Sequence, residues 1–335
     1  MNNPGAQFKV RLKILTPVHI GSGETINWLG YFLESDYFCR ININSLFNDA
    51  DFQPHLDKLL EPGILRQSID RLIPKSILQK HLFYKLPLHN SARKTSATQE
   101  VHLFIKSAGR VYIPGSSLKG AILSALCYAK LKECNRNDLM KVLEGEVRYG
   151  KSGREYQDPL ELVLPLLGGR GADTLGKFTH WLDVSDSDFQ LPQDSLELVQ
   201  ARVIGARRGG QIPILYETLK PGTQFTFTLK LDPASRLTPE VLLNSVGQFY
   251  QRVLTKDRLQ HGDARILGSV TLIRLGQGSG MFATSLLLLA QELNLTANYR
   301  LSRIDSRSGP RTRKRITSGE NIPLGWAGIS ILGGE

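Results

Sequence analysis

Residues 111–131 read VYIPGSSLKGAILSALCYAKL. Val111, Tyr112 and Ile113 favour a strand, and Pro114-Gly115 ends it. Leu118, Ala121, Ile122, Ala125, Leu126 and Ala129 then recur every three or four residues, the apolar face of a helix. The stretch therefore predicts strand, tight polar turn, helix. Ser116 or Ser117 can cap the helix, because a serine oxygen accepts from the free amides of its first turn. Those amides, the two hydroxyls and the Lys119 ammonium sit where the helix dipole favours an anion, so the turn suits a phosphate. The same residues also read as an ordinary capped helix start.

Outward from this stretch, strand-like and helix-like segments alternate irregularly. FKVRLKIL (8–15) puts Phe8, Val10, Leu12 and Ile14 on one side and Lys9, Arg11 and Lys13 on the other, a half-buried strand with a basic outer face. It runs into His19 and a loop where Gly21 and Gly23 flank Ser22, letting backbone lie close to a ligand. A strand pair at 30–43 turns at Ser35-Asp36. Residues 45–97 change character, with short amphipathic helices broken at Pro54, Pro62 and Pro74, and read as a helical insertion.

Strands at 101–105 and 111–113 form a hairpin around Ser107-Ala108-Gly109. Residues 145–158 read as a linker and 159–167 as a short helix, followed by a glycine loop at 168–171. Strands follow at 178–185 and 197–204, the latter ending in GARRGG with Arg207 and Arg208 between glycines. Segments 214–219 and 223–231 form a hairpin through Lys220-Pro221-Gly222. A helix spans 238–254. A strand at 269–275 carries Arg274 into Gly276, Gly278, Ser279 and Gly280, then a helix at 281–292. Residues 300–315 hold seven basic residues and one acid, among them Arg311, Arg313, Lys314 and Arg315. A last strand covers 326–332. The class is α+β, not a doubly wound sheet. The halves divide at about 190, into 1–190 and 191–335.

Composition narrows the function. Among 335 residues, 42 Lys+Arg face 31 Asp+Glu, a net charge of +11 that suits a polyanionic partner. MNNPGAQFKV holds no apolar core of a signal peptide and no run is long enough to span a bilayer, so an intracellular, cytoplasmic protein with no membrane partner is expected. Three cysteines without a CxxC argue against a disulfide framework, and seven scattered histidines give no zinc spacing. No cofactor and no metal are expected. GQGSG at 276–280 is neither a Rossmann nor a Walker motif. Asp183, Asp186 and Asp188 suit a metal site or a turn equally. No catalytic set emerges. His19 beside Gly21-Ser22-Gly23 is the one candidate base for metal-free RNA cleavage. Three strand exits (19–24, 114–120 and 274–281) repeat one glycine-bearing polar device.

These residues, in this order, resemble the RAMP proteins of CRISPR systems. The resemblance is carried by TPVHIGSG (16–23), YIPGSSLKG (112–120), the glycine loop 276–280, VSDS (184–187), Tyr216-Glu217 before KPGT (220–223), and PLGW (323–326). Within that group the order is similar to the Csm-type, type III-A subunits that cap the complex at the 3′ side of the guide RNA. The resemblance implies ferredoxin-like (RRM-like) βαββαβ cores with a helical insertion. It implies a non-catalytic subunit that binds CRISPR RNA, packs against neighbouring Csm backbone and small subunits, takes part in target RNA binding, and supports guide 3′ maturation through host nucleases. RNA contacts would come from His19, Gly21, Ser22, Gly23, Gly115, Ser116, Ser117, Lys119, Arg207, Arg208, Arg274, Gly276, Gly278, Ser279, Gly280, Arg311, Arg313, Lys314 and Arg315. Related target-cutting subunits carry an acid after the HIG-like motif, whereas residues 25–30 (TINWLG) have none. Aromatic signatures for base stacking on the sheet face are missing. The alternatives are a RAMP endoribonuclease for repeat RNA with His19 as base, and a protein scaffold with little RNA contact.

Overall fold

A computed structural model describes residues 6–61, 63, 67–95, 99–137, 139, 179–205, 213–261, 270–294, 312–316 and 321–332. In chain order it contains β1 (Gln7–Ile14), β2 (Gly21–Ile26), β3 (Tyr31–Glu34), β4 (Tyr37–Ile41), α1 (Ile43–Phe47), α2 (Lys75–Lys80), β5 (Leu82–Pro87) and β6 (Val101–Phe104). The hairpin β7 (Lys106–Ser107) and β8 (Arg110–Val111) precedes α3 (Gly115–Lys132). Then come β9 (Leu182–Val184), α4 (Pro192–Ser195), β10 (Leu196–Gly205), β11 (Pro213–Leu219), β12 (Gln224–Leu231) and α5 (Pro239–His261). The chain closes with β13 (Thr271–Arg274), α6 (Met281–Thr284), α7 (Leu287–Glu292), β14 (Thr312–Ile316), β15 (Ile322–Pro323) and β16 (Trp326–Ile331). The linker, short helix and glycine loop expected over 145–171 lie outside the described residues.

Two main sheets form. The first has the order β13-β16-β1-β12-β9, all antiparallel. β1 alternates as its sequence requires, with Val10, Leu12 and Ile14 fully buried and Lys9, Arg11 and Lys13 exposed. The buried side packs with Phe225, Phe227 and Leu229 of β12 against α3 and α5, through Leu118, Ile122, Leu126, Val246, Tyr250 and Val253. The second sheet has the order β15-β14-β10-β11-β6-β2, where β6 and β11 are the parallel pair. Each sheet takes strands from both sides of residue 190, so the expected halves interlock.

Several expectations change. The segment 214–231 is not a hairpin. Its Pro-Gly turn carries the chain from one sheet to the other, because β11 pairs with β10 and β6 while β12 pairs with β1 and β9. Residues 101–105 join β11 and β2, leaving the tight turn to β7 and β8, where Ala108 and Gly109 both have positive φ (47° and 77°). The 45–97 stretch is not wholly helical. Strand β5 runs through it and pairs with β4, forming a three-stranded sheet β3-β4-β5. Trp28, Phe32, Cys39, Leu46, Phe52, Ile69 and Leu78 fill its separate small core. The 281–292 helix breaks into α6 and α7 at Ser285, whose backbone is extended. Among the described residues, no helix is long and apolar enough to cross a membrane.

Candidate nucleic-acid interface

Strand direction brings the three glycine-bearing exits together. β1 is antiparallel to β16 and β12, β13 is antiparallel to β16, and β9 is antiparallel to β12. Therefore β1, β9 and β13 run the same way and leave the sheet at one end. The exit of β1 leads to His19 and Gly21–Gly23, and that of β13 leads to 276–280. At the end of β9, Val184 and Ser185 lie directly against Gly115, so the start of α3 is at that end too.

At the α3 start the expected serine cap is absent. Neither serine caps the helix through its side chain. Instead the Asp186 carboxylate accepts from the Gly115 amide at 2.7 Å. A side chain on Gly115 would overlap the Val184 carbonyl, so glycine here serves close packing. Asp188 accepts from the Thr226 amide at 2.6 Å, and Asp183 lies 3.8 Å from the Lys119 ammonium. Asp186 and Asp188 thus hold the turn after β9, while Asp183 lies within the strand and faces Lys119. Ser116 is exposed, and Ser117 and Lys119 are half-buried.

Around His19 the glycines also turn out to be packing residues. His19 is 2% exposed, and its Nδ1 is 2.7 Å from the Glu217 carbonyl. A carbonyl only accepts, so Nδ1 carries the proton and Nε2 is the bare nitrogen. Burial pushes the imidazole pKa down to about 4. A Cβ on Gly21 would come within 3.0 Å of Nε2. Gly276 has φ +71°, a Cβ there would overlap the His19 carbonyl oxygen, and that oxygen accepts from Gln277 N at 2.8 Å. Gly278, with φ +92°, packs on Leu324. The Ser279 hydroxyl donates to the Gly276 carbonyl at 2.6 Å, and Gly280, with φ +77°, precedes α6.

The 19–24 segment is not an open loop. Gly21–Ile26 is an edge strand of the second sheet, bulged against β6 between Gly21 and Thr25. Its residues Gly21 to Thr25 are exposed. Two expected phosphate contacts are interior. Arg274 is 2% exposed, ion-paired to Asp257, with its Nε donating to the Leu324 carbonyl at 3.1 Å and its plane 5.0 Å from the Trp326 ring. Arg315 is likewise 2% exposed and donates to the Asn321 carbonyl at 3.3 Å. Lys314 is half-buried and donates to the Tyr216 hydroxyl at 2.7 Å. Arg207, Arg208 and Arg311, and the side chain of Arg313, lie outside the described residues.

Sequence reading missed the polar centre beneath this surface. Glu217 is fully buried. Its carboxylate accepts from the Tyr84 hydroxyl, from Phe104 N at 2.9 Å and from the Lys106 ammonium at 2.5 Å. Arg40 donates to Tyr84 at 2.8 Å. Burial pulls the Lys106 pKa down, with Glu217 opposing it. His102 stacks near Tyr216 at 5.0 Å, and burial with the Lys314 charge lowers its pKa. The one sequence signal for this centre was an acid inside the otherwise apolar run PILYETL.

Taken together, an antiparallel sheet backed by two helices presents exposed backbone and hydroxyls at one end, and no grouping of metal-ligating side chains occurs among the described residues. The RAMP superfamily model matches residues 11–274, and the chain belongs to that family. Its curated relatives include "CRISPR system Cms protein Csm5" of Methanocaldococcus jannaschii, 25% identical over 237 residues, covering 68% of this chain and 53% of the relative. The matched stretch thus spans about half the length of that relative. The protein of the same name from Streptococcus thermophilus is 26% identical over 314 residues, covering 85% and 82%. Among solved structures, a chain of a Csm–crRNA–target RNA ternary complex of a type III-A CRISPR-Cas system aligns with TM-score 0.67 at 22% identity, covering 97% of this chain and all of that one. The crystal structure of T. onnurineus Csm5 aligns with TM-score 0.66 at 22% identity, covering 95% and 99%.

Proposed function

We propose that this chain is a non-catalytic RNA-binding subunit of a type III-A (Csm) effector, holding the guide RNA at its 3′ side. In that place it contacts the Csm backbone and small subunits, supports target RNA binding and guide 3′ maturation, and offers host nucleases a docking point. The observation that carries this is the convergence of the β1, β9 and β13 exits at one sheet end, where Gly21–Gly23, Ser116 and Gly276-Gln277 are exposed. Exposed backbone and hydroxyls suit a guide whose sequence varies, because they grip shape and phosphate rather than bases. Ser22, Ser116, Lys119 and Lys314 are the side chains we assign to that grip. We also read the first sheet as a ferredoxin-like core. The chain order β1-α3-β9-β12-α5-β16 with neighbours β16-β1-β12-β9 follows its βαββαβ pattern, and β13 adds an edge strand.

The endoribonuclease alternative needs His19 as a reachable base. An imidazole that is 2% exposed, with its pKa lowered to about 4 by burial, is hard to reach and too weakly basic for that role. The test titrates guide RNA with the wild type and with Lys119→Glu and Lys314→Glu at several salt concentrations, and incubates repeat RNA in EDTA. Expected are salt-dependent binding weakened by each variant and intact RNA. Cleavage that disappears in His19→Ala overturns the non-catalytic reading, and binding indifferent to salt and to both variants supports the scaffold.

A further inference from the structure

The outer face of the first sheet enters none of the roles above. Lys9, Arg11 and Lys13 are all exposed on it, two residues apart along β1. At about 3.4 Å per residue, their stems repeat every ~7 Å, close to the spacing of consecutive phosphates in an extended strand. Lys9 lies opposite Thr228, Arg11 between Thr226 and Ser330, and Lys13 opposite Gln224. Exposed Lys230 continues the row beside Gln7. None of these four cations forms an ion pair with a carboxylate among the described residues. Three like charges in line on one strand repel one another, and the fold offers no compensating acid on β1 or β12. The acids nearest in register are Asp183, opposite Lys230 on the β9 edge and within ion-pair reach of Lys119, and Asp188, whose carboxylate accepts from the Thr226 amide.

We infer that this face is a second RNA site, a flat track for the phosphates of an extended single strand. The track has cations at phosphate spacing on the central strand and hydroxyl or amide groups (Thr226, Thr228, Ser330, Gln224) on both flanks to reach sugar and phosphate oxygens. The outward positions of β1 are Gln7, Lys9, Arg11 and Lys13 and those of β12 are Gln224, Thr226, Thr228 and Lys230, none of them aromatic, so bases go unread. Affinity here is electrostatic and independent of sequence. The inference rests on the RNA-binding reading above but uses a different surface from the sheet-end exits.

The experiment compares the full chain with the triple variant Lys9→Gln, Arg11→Gln, Lys13→Gln, and with a control carrying Lys58→Gln, Arg71→Gln and Lys75→Gln. A labelled homopolymeric single-stranded RNA is titrated across salt concentrations. Losing three phosphate contacts lowers the slope of log K against log salt by about 2 and weakens binding at least about tenfold at low salt. The control should match the wild type. All substituted positions are on the surface, and an unchanged unfolding midpoint confirms the fold. A photoreactive residue at Thr228 in the assembled complex should crosslink to RNA. Unchanged affinity and slope in the triple variant, with wild-type binding intact, overturn the track and leave the guide-binding reading standing. A Thr228 crosslink to a protein subunit instead overturns the track in favour of an acidic protein partner. Wild-type protein without salt-dependent binding overturns both.

Discussion

The Asp186 carboxylate, 71 residues away in sequence, accepts the first amide of α3 from Gly115. The helix N-terminus that looks like an open anion site thus already holds an anion of its own. Asp186→Ala should lower stability by about 1 kcal/mol, the usual worth of an N-cap. Urea denaturation reads this directly, and an unchanged midpoint would mean the cap is supplied elsewhere.

Glu217 anchors the second sheet to the β5 strand and the β7 hairpin. Glu217→Ala strips Lys106 of its buried partner and leaves Tyr84 and the Phe104 amide without an acceptor. Removing one member of a buried pair costs about 3–5 kcal/mol. The variant should unfold at markedly lower denaturant than Lys119→Glu, which alters a partly exposed side chain.

His19 makes stability depend on pH. Its folded pKa is near 4 against 6.5 in a model peptide. Above pH 6.5 both states are neutral and nothing is lost. As pH falls from 6.5 to 4 the unfolded chain gains a proton that the folded chain refuses, so stability drops. Each unit is about 1.4 kcal/mol, which puts the total at about 3 kcal/mol. His19→Gln should flatten that part of the profile, with the smaller effect of His102 remaining.

Gly276→Ala tests whether the glycine loop serves packing. Its φ is +71°, and a methyl there would strike the His19 carbonyl. A cost of about 1–3 kcal/mol is expected from the backbone conformation alone. Gly23→Ala should cost less, because nothing lies within 4 Å of its Cβ position despite φ +87°. Equal effects would place the two loops on the same footing.

Local pattern made β1, the β3-β4 pair, the α3 face and the long α5 helix legible, because their alternation or 3.6-residue period is written in adjacent residues. Pairing partners were not. The KPGT turn looks like a hairpin because nothing in 213–231 reveals that β12 prefers β1. Strand β5 was hidden between short helices. Arg274 and Arg315 read as surface cations since their buried surroundings, among them Asp257, Asn321 and the Leu324 carbonyl, come from other elements. The exits at 19–24, 114–120 and 274–281 were visible as glycine motifs, but the packing that leaves no room for a Cβ at Gly115 and Gly276 comes from residues distant in sequence and was not, nor was the placement of the His19 ring against Gly21.

The most direct measurement uses guide RNA carrying photoreactive nucleosides at successive positions, assembled with this chain and the other effector subunits. Crosslinks to this chain confined to the 3′-ward nucleotides, on peptides containing Ser22, Ser116 or Lys314 and with the RNA length unchanged, are the predicted result. Crosslinks at the 5′ end, or none to this chain in an otherwise complete complex, would contradict it.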